Sequence, residues 1–198
     1  MRVLVIHAYS PANLGDGAIV LAMISEARRV FGGSVEVAVS ATDAEAFVRF
    51  LGIRSHGRLL PWRAMGNTAS RAMWLARNLP TAALIWWGSG GGRDRLASLA
   101  RSRFLPAGTR QAVSAYLSAD LVLAAGGGYL GDTYRRQLAF WHLEYRCAGA
   151  AGVPLVFFSQ SVGSTRARIT RVFLRKAVER SALFIARDQP SADRLRSL

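Results

Sequence analysis

Short apolar runs alternate with longer, helix-like stretches along this chain of 198 residues, and that alternation limits the fold more than any other feature. Runs that are apolar throughout are typical of strands buried on both faces of a parallel sheet, and the stretches between them are long enough to form the covering helices. The pattern predicts strands at residues 2–8, 35–40, 120–125, 153–159 and 183–186. We therefore predict one α/β domain over residues 1–198, Rossmann-like, with a mostly parallel sheet and helices on both faces.

Helices are predicted between these strands at residues 17–31, 134–149 and 166–181. Five apolar residues of the first helix recur at helical spacing and are expected to form its buried stripe: Ile19, Ala22, Met23, Ala27 and Val30. Each strand ends in a polar or glycine-rich loop that opens a helix. These loops therefore share the carboxyl edge of the sheet, where open α/β folds bind their ligands.

The charge balance is strongly basic, with 26 Lys and Arg against 12 Asp and Glu, a formal net charge of +14. Such a charge attracts phosphorylated substrates or anionic lipid. All the basic residues except Lys176 are arginines, however, and this excess of arginine could also reflect genome composition. Nucleic acid is not expected, because the aromatic residues do not interleave with basic ones at the spacing of a known motif. A single cysteine, Cys147, excludes a disulfide framework and predicts a cytosolic protein, and no Cys/His cluster predicts a metal site.

The segment from residue 61 to 109 interrupts the strand and helix rhythm. It holds Trp62, Trp74, Trp86 and Trp87, a glycine-rich run at 88–92, and several arginines. One interpretation is an interfacial element, because tryptophan beside arginine suits an anionic membrane surface. The other is a pair of core-packing helices joined by a glycine loop, with solvated arginines. Residues 191–198 resemble the first turns of a helix, so we expect the natural chain to continue.

The first loop at the carboxyl edge contains Asn13, Gly15 and Asp16. The free N–H groups at the amino terminus of the following helix, together with a glycine that permits close approach, could bind an anion. Alternatively, Asp16 serves as the helix N-cap and Asn13 as a turn residue.

The second loop carries Gly126, Gly127 and Gly128 and ends at Asp132. Its spacing satisfies the glycine fingerprint of dinucleotide-binding folds between a strand and a helix. However, the acidic residue that would hold the ribose is missing at the end of the next predicted strand. What remains is either a backbone concavity for a phosphate, carboxylate or sugar with Asp132 at its rim, or a tight turn.

Two further loops follow the last two predicted strands. One contains Gln160 and Ser161 and leads to Arg166, where a cation at a helix amino terminus would be favoured by a bound anion; Ser164 or Thr165 could equally cap that helix. The other starts with Arg187, whose guanidinium could hold a carboxylate or phosphate through two parallel bonds or could be solvated. Asp188 or Ser191 could cap the helix that follows it.

The three histidines are not predicted to be catalytic. His7, His56 and His142 lie apart, without a serine or cysteine elbow that could complete a nucleophile triad. His7 is expected to be a core histidine, and Cys147 a buried small apolar residue.

The four loops, in this order, resemble the polysaccharide pyruvyl transferase family. The resemblance lies in Asn13-Leu-Gly-Asp16, Gly126-Gly-Gly-Tyr-Leu-Gly-Asp132, Gln160-Ser-Val-Gly163 and Arg187-Asp188 with Ser191. The turn after Gly163 departs from the family pattern, because Ser164 stands where the family usually has proline.

The resemblance implies the amino-terminal half of a two-domain, glycosyltransferase-B-like protein, with the carboxyl-terminal domain and its donor-binding histidine and arginine absent. It implies transfer of an enolpyruvyl unit from phosphoenolpyruvate to a saccharide or lipid-linked saccharide, giving a pyruvate ketal, with no cofactor. By this resemblance Asp132 corresponds to the family's functionally important acid and Arg187 to an arginine that helps hold the donor. We predict that both are catalytic, Asp132 on the acceptor side and Arg187 on the donor side, in a chain that is inactive alone. The substrate-binding residues are expected to be Asn13, Gly15, Asp16, Gly126, Gly127, Gly128, Gln160, Ser161 and Arg166.

Two other functions fit the same loops. One is a glycosyltransferase-B-type enzyme that uses a nucleotide sugar, since fold does not decide between donors. The other is a non-catalytic module that binds anions or a membrane surface. A lipid-linked acceptor would place a cytoplasmic enzyme at the inner membrane face. All these interpretations require the loops to converge into one electropositive crevice.

Overall fold

The computed structural model describes residues 1–61 and 67–198, apart from the side chain of Arg71. Seven strands are described: β1 (Arg2–Ala8), β2 (Glu36–Ala41), β3 (Ser55–Gly57), β4 (Leu121–Ala124), β5 (Gly127–Leu130), β6 (Leu155–Val162) and β7 (Leu183–Ala186). The helices are α1 (Leu14–Phe31), α2 (Ala44–Leu51), α3 (Thr68–Ser89), α4 (Gly92–Arg101), α5 (Ala107–Ser118), α6 (Arg135–Ala151), α7 (Arg168–Arg180) and α8 (Gln189–Arg196), with a 3-10 turn at Asp132–Tyr134.

All pairings among the described strands are parallel. Strand β1 lies between β2 and β4, β3 lies outside β2, and β6 pairs with β4, β5 and β7. Strand β5 prolongs β4, because β4 pairs with the first half of β6 and β5 with its second half. The spatial order is therefore 3-2-1-4-6-7, the doubly wound order of Rossmann-like folds, and the α/β prediction is confirmed.

The sheet separates two hydrophobic cores. Strand β1 supplies both, because successive side chains of a strand point to opposite faces: Val3 and Val5 pack on the α1 and α2 side, and Leu4 and Ile6 on the side of α3 to α7. Burying one such aliphatic side chain stabilises the fold by roughly 1.5–3 kcal/mol. Helices therefore cover both faces, as predicted.

Two strands, β3 and β5, were not predicted. Strand β3 has only three residues, too few for a periodic signal. The second glycine loop was expected to be a loop, forming either a backbone concavity or a tight turn, but residues 127–130 pair with β6 as a strand. Gly126, just before β5, has no room for a side chain, since a Cβ there would lie 2.9 Å from the carbonyl oxygens of Phe158 and Ser159. Close approach of two backbones explains this glycine.

The start and the stripe of α1 also differ from the prediction. Asn13, not Asp16, is the N-cap, and its side chain accepts a hydrogen bond from the Gly15 amide. The buried stripe is Gly17, Val20, Met23, Ile24 and Ala27, whereas Val30 is 59% exposed and Ala22 is exposed. Only Met23 and Ala27 of the predicted stripe are buried.

Of the caps predicted for the later helices, those of α7 are absent and that of α8 is present. Helix α7 begins after Ala167 without a side-chain cap, so neither Ser164 nor Thr165 has the predicted role. Asp188 caps α8, as predicted, by accepting from the Ser191 amide. Cys147 is fully buried in α6, also as predicted.

Within the segment 61–109, α3 and α4 are joined at Gly90 and Gly91, and Ile85, Leu96 and Leu99 are buried. The two helices and the glycines that join them agree with the second interpretation of this segment. Trp62 lies outside the described residues.

Candidate functional site

A cavity of about 440 Å³ opens at the carboxyl edge of the sheet, beyond the ends of β1 and β4. The amino end of α1 forms one wall, the glycine loop another and α6 a third. Its lining residues are His7, Ala8, Tyr9, Asn13, Asp16, Ile19, Val20, Thr42, Arg58, Leu59, Leu60, Trp74, Ala125, Gly126, Gly127, Gly128, Tyr129, Tyr134, Gln137, Phe140, Trp141 and Glu144. The cavity lies where ligands bind in open α/β folds.

A second groove, of about 930 Å³, adjoins this cavity and shares Thr42, Arg58 and Trp74 with it. It runs between one flank of α3 and the ends of β2 and β3. Arg77 and Asn78 of α3 supply polar groups along it.

His7 reaches the cavity through a break in the regular pleat of β1. Its φ of 68° lies in the left-handed region, which costs a non-glycine residue roughly 1–3 kcal/mol. By strand alternation the ring would face α1, but it lies 5.2 Å from the ring of Trp141 and 5.4 Å from that of Tyr145, both on α6. The strained residue therefore turns the imidazole toward the cavity side of the sheet.

Glu144 is the centre of a buried charge network on α6. Its side chain is 3% exposed, and its Oε1 accepts hydrogen bonds from Nε and Nη2 of Arg58, at 3.1 and 3.0 Å. Its Oε2 lies 3.2 Å from Nε2 of His7. Burial acts to raise the pKa of Glu144, but the Arg58 guanidinium and His7 together lower it below the ordinary glutamate value. Glu144 is therefore a carboxylate.

The other nitrogen of His7 continues the network. In the neutral ring Nε2–H faces the Glu144 carboxylate, so Nδ1 accepts from the hydroxyl of Tyr129 at 2.9 Å. The same hydroxyl lies against the Ala125 carbonyl and accepts from Nε2 of Gln160 at 3.0 Å. Burial lowers the pKa of His7, more than the neighbouring Glu144 raises it, so the neutral ring is favoured near pH 7. A continuous polar chain thus links Arg58, Glu144, His7 and Tyr129 along the cavity wall.

Asp16 stands at the amino end of α1 and also lines the cavity. Burial raises the pKa of this carboxyl, an effect that a backbone hydrogen bond from Ser10 partly opposes. A carboxylate with a raised pKa is a stronger base than an ordinary aspartate. The charged side chains of the lining are thus two carboxylates and one guanidinium, and the expected electropositive crevice is not found in this cavity.

The structure brings together only some of the predicted site residues. Asn13, Asp16, Gly126, Gly127 and Gly128 line the cavity. Gly15 serves the α1 cap instead. Gln160 is fully buried behind the cavity, where its Nε2 donates to the carbonyls of Ala124 and Ala125.

The remaining predicted residues lie beyond this cavity, over β6 and β7. Asp132 accepts hydrogen bonds from the Ser164 hydroxyl and from the amides of Arg166 and Ala167. The pKa of Asp132 is lowered by the hydroxyls of Thr170 and Ser164 and by those amides. Its carboxylate therefore holds the chain at the entry to α7.

Arg187 is exposed at the end of β7, and its amide donates to the Gln160 carbonyl at 2.9 Å. The side chain of Arg166 is also exposed. Ser161 lies 3.4 Å from a carboxylate oxygen of Asp188, the α8 cap. These residues share the carboxyl edge with the cavity but do not line it.

The polar chain along the cavity wall was not predicted from the sequence. Arg58, Tyr129 and Glu144 were not singled out, and His7 was assigned to the core. Glu144 carried a usable signal, since an acid among the apolar and aromatic residues of α6 must find a cation if it is buried. Arg58 could not be matched to it, because the two residues are far apart in the chain.

Across residues 1–61 and 67–198, no group of three or more His, Cys, Asp or Glu side chains is arranged to hold a metal ion. No helix in the same ranges is both long and apolar enough to cross a membrane.

Comparison with known proteins identifies the family. A family profile described as polysaccharide pyruvyl transferase matches residues 13–198, most of the chain. The chain belongs to the polysaccharide pyruvyl transferase family. Searches of curated proteins and of solved structures gave no match. Membership assigns the protein to a family of transferases and implies in general a saccharide acceptor and a donor substrate.

Proposed function

We propose that the protein transfers an enolpyruvyl group from phosphoenolpyruvate to a sugar of a cell-surface polysaccharide or its lipid-linked precursor, forming a pyruvate ketal. The observation that carries the proposal is the cavity at the carboxyl edge, in a chain of this family. Its lining combines aromatic rings with carboxylates and amides. Such surfaces suit a sugar, which offers apolar ring faces and many hydroxyl groups.

Charge supports the cavity as the site of the acceptor rather than the donor. Phosphoenolpyruvate is a multiply charged anion, and the cavity lining presents Asp16 and Glu144 against Arg58 alone. Arg58 is already paired with Glu144. A neutral sugar avoids this repulsion, and the carboxylates can accept hydrogen bonds from its hydroxyl groups.

The reaction balances without a redox partner or cofactor. Protonation of the enol methylene gives a methyl group and an oxocarbenium-like carbon, two sugar hydroxyls add to that carbon, and the C–O bond to phosphate breaks. The two hydroxyl protons leave with the new methyl group and the released phosphate. A base is therefore needed at the acceptor, and Asp16, whose pKa is raised by burial, is our candidate; Glu144, whose pKa is lowered, can accept a hydrogen bond from the second hydroxyl.

The donor side of the reaction calls for cations. We assign this side to Arg187 and Arg166, whose exposed side chains at the carboxyl edge are suited to a carboxylate or phosphate. Asp132 would act as a positioning residue, because its hydrogen bonds fix the backbone at Arg166. The family resemblance implies a further domain on the donor side, so turnover is to be measured in the full-length protein.

We propose a cytoplasmic location, at the inner membrane face.

The experiment mixes the full-length protein with phosphoenolpyruvate and candidate saccharides, and follows phosphate release and the ketal methyl signal by nuclear magnetic resonance. We expect both signals to rise together and Asp16→Asn to lower kcat/KM at least tenfold. Asp94→Asn, an exposed acid outside the cavity, is the matched control and should match the parent protein. Release of a nucleoside diphosphate from a nucleotide sugar, with no phosphate from phosphoenolpyruvate, would overturn the proposal.

A further inference from the structure

The outer face of α3 is apolar although it is exposed. Between residues 72 and 87, every exposed residue of this helix other than Arg77 is apolar. The large ones are Met73, Leu75, Leu79, Trp86 and Trp87, which are 41–67% exposed. At 100° per residue these side chains, with the alanines and the proline between them, fall within an arc of about 160°.

This arrangement is the reverse of that on an ordinary surface helix, whose polar face is turned to water. The apolar face also runs along a helix of 22 residues, about 33 Å. A continuous exposed apolar surface of this length is typical of an interaction site. Isolated exposed apolar residues elsewhere in the protein need no such explanation.

Positive charge borders this face. The guanidinium of Arg146 lies 4.0 Å from the ring centre of Trp86, and that of Arg95 lies 4.6 Å from that of Trp87. The sequences of α3 and α4 contain five arginines and one acidic residue, Asp94. A partner that fits must therefore be apolar at its interior and negatively charged at its surface.

We propose that the outer face of α3 docks on an anionic phospholipid bilayer, with α3 lying in the plane of the interface. Tryptophan is favoured at the level of the headgroups, arginine pairs with their phosphates, and the aliphatic side chains enter the boundary of the acyl chains. The helix lies on the membrane and does not cross it.

The docking would also deliver the substrate, a consequence that depends on the proposed function. Met73 and Arg77 belong both to the outer side of α3 and to the groove that continues into the cavity. The mouth of that groove would then face the bilayer surface. A sugar attached to a membrane lipid could enter it without leaving the membrane.

The experiment measures binding of the purified protein to vesicles of phosphatidylcholine alone and of phosphatidylcholine with phosphatidylglycerol, by co-sedimentation and tryptophan fluorescence. We expect at least tenfold tighter binding to the anionic vesicles, a blue shift of the emission, and weaker binding in high salt. Trp86→Ser with Trp87→Ser should weaken binding about tenfold or more and abolish most of the shift.

The matched control is Val30→Ser with Phe31→Ser, an exposed apolar pair on α1, which should bind like the parent protein. Because Trp86 also contacts the ring of His142, Leu79→Ser is the second test on the same face should the double variant unfold. No binding to anionic vesicles would overturn the proposal, as would binding that neither variant weakens. Concentration-dependent dimers that the α3 variants abolish would make a second copy the occupant and would also overturn it. Vesicle binding is independent of turnover, so it tests the docking surface apart from the reaction.

Discussion

Replacing Arg58 with methionine should destabilise the protein far more than replacing another paired arginine. Glu144 is 3% exposed and Arg58 11% exposed, and their charged atoms lie 3.0 Å apart. At an effective dielectric constant of about 20, this separation corresponds to an attraction of about 5 kcal/mol. Removing one partner of a buried pair leaves an uncompensated charge, which typically costs about 3–5 kcal/mol. We therefore expect Arg58→Met to lower the free energy of unfolding by about 3–5 kcal/mol.

Urea unfolding followed by circular dichroism measures this loss, and Arg54→Met supplies the matched control. Arg54 and Glu36 are 79% and 67% exposed and lie 3.8 Å apart, so losing their pair should cost about 0–1 kcal/mol. The double variant Arg58→Met with Glu144→Gln should be more stable than Arg58→Met, because the amide is neutral. Equal losses in the two arginine variants would refute the reasoning.

The loss of stability caused by Arg58→Met should depend on pH, because it leaves the Glu144 carboxylate buried without its cation. In Arg58→Met, burial outweighs the remaining interactions and the pKa of Glu144 rises above the unfolded value. At low pH the Glu144 carboxyl of the variant is then protonated and neutral in the folded state. The difference in free energy of unfolding between the parent protein and Arg58→Met should therefore shrink as the pH falls and grow as the pH rises. A deficit that is the same at pH 4 and pH 7 would contradict the assignment.

Three further predictions follow from single contacts. Gly126→Ala should cost at least about 1–3 kcal/mol, because its Cβ would meet two carbonyl oxygens of β6, whereas Gly128→Ala, with open space around it, should cost less than about 1 kcal/mol by urea unfolding. Burial and nearby positive charges on α7 lower the pKa of His142 to about 4, so stability should fall as the pH drops from 6.5 toward 4, and His142→Gln should reduce that slope in thermal melts. Asp188→Ala should lower stability by about 1 kcal/mol through loss of the α8 cap, whereas Asp188→Asn should retain most of it.

The sequence was sufficient to predict the main strands and the edge at which the site lies. The strands of a parallel sheet are apolar throughout, and β1 and β7 have the predicted bounds. The convergence of the first two loops also follows from parallel topology, since both follow strands at the centre of the sheet. These features depend on the apolar pattern of each strand and on the order of strands and helices along the chain, and both can be read from the sequence.

The remaining parts of the site depend on departures from that pattern. His7 faces the cavity only because β1 has a residue at positive φ, and strand alternation alone assigns it to the opposite face. The pairing of Arg58 with Glu144 joins residues far apart in the chain. Asp132 and Arg187 were predicted beside the glycines, but the carboxylate of Asp132 bonds to the chain at the entry to α7 instead of lining the cavity. Tertiary contacts of this kind have no signature in a single sequence.

We propose that the cavity beside Glu144 and Asp16 binds the acceptor sugar. Isothermal titration of the chain with neutral oligosaccharides tests it most directly, with Gln137→Ala as the cavity variant and Gln111→Ala, an exposed glutamine on α5, as its control. We expect saturable binding that Gln137→Ala weakens several-fold and Gln111→Ala leaves unchanged. Binding of the same sugars with equal affinity by all three proteins would contradict it.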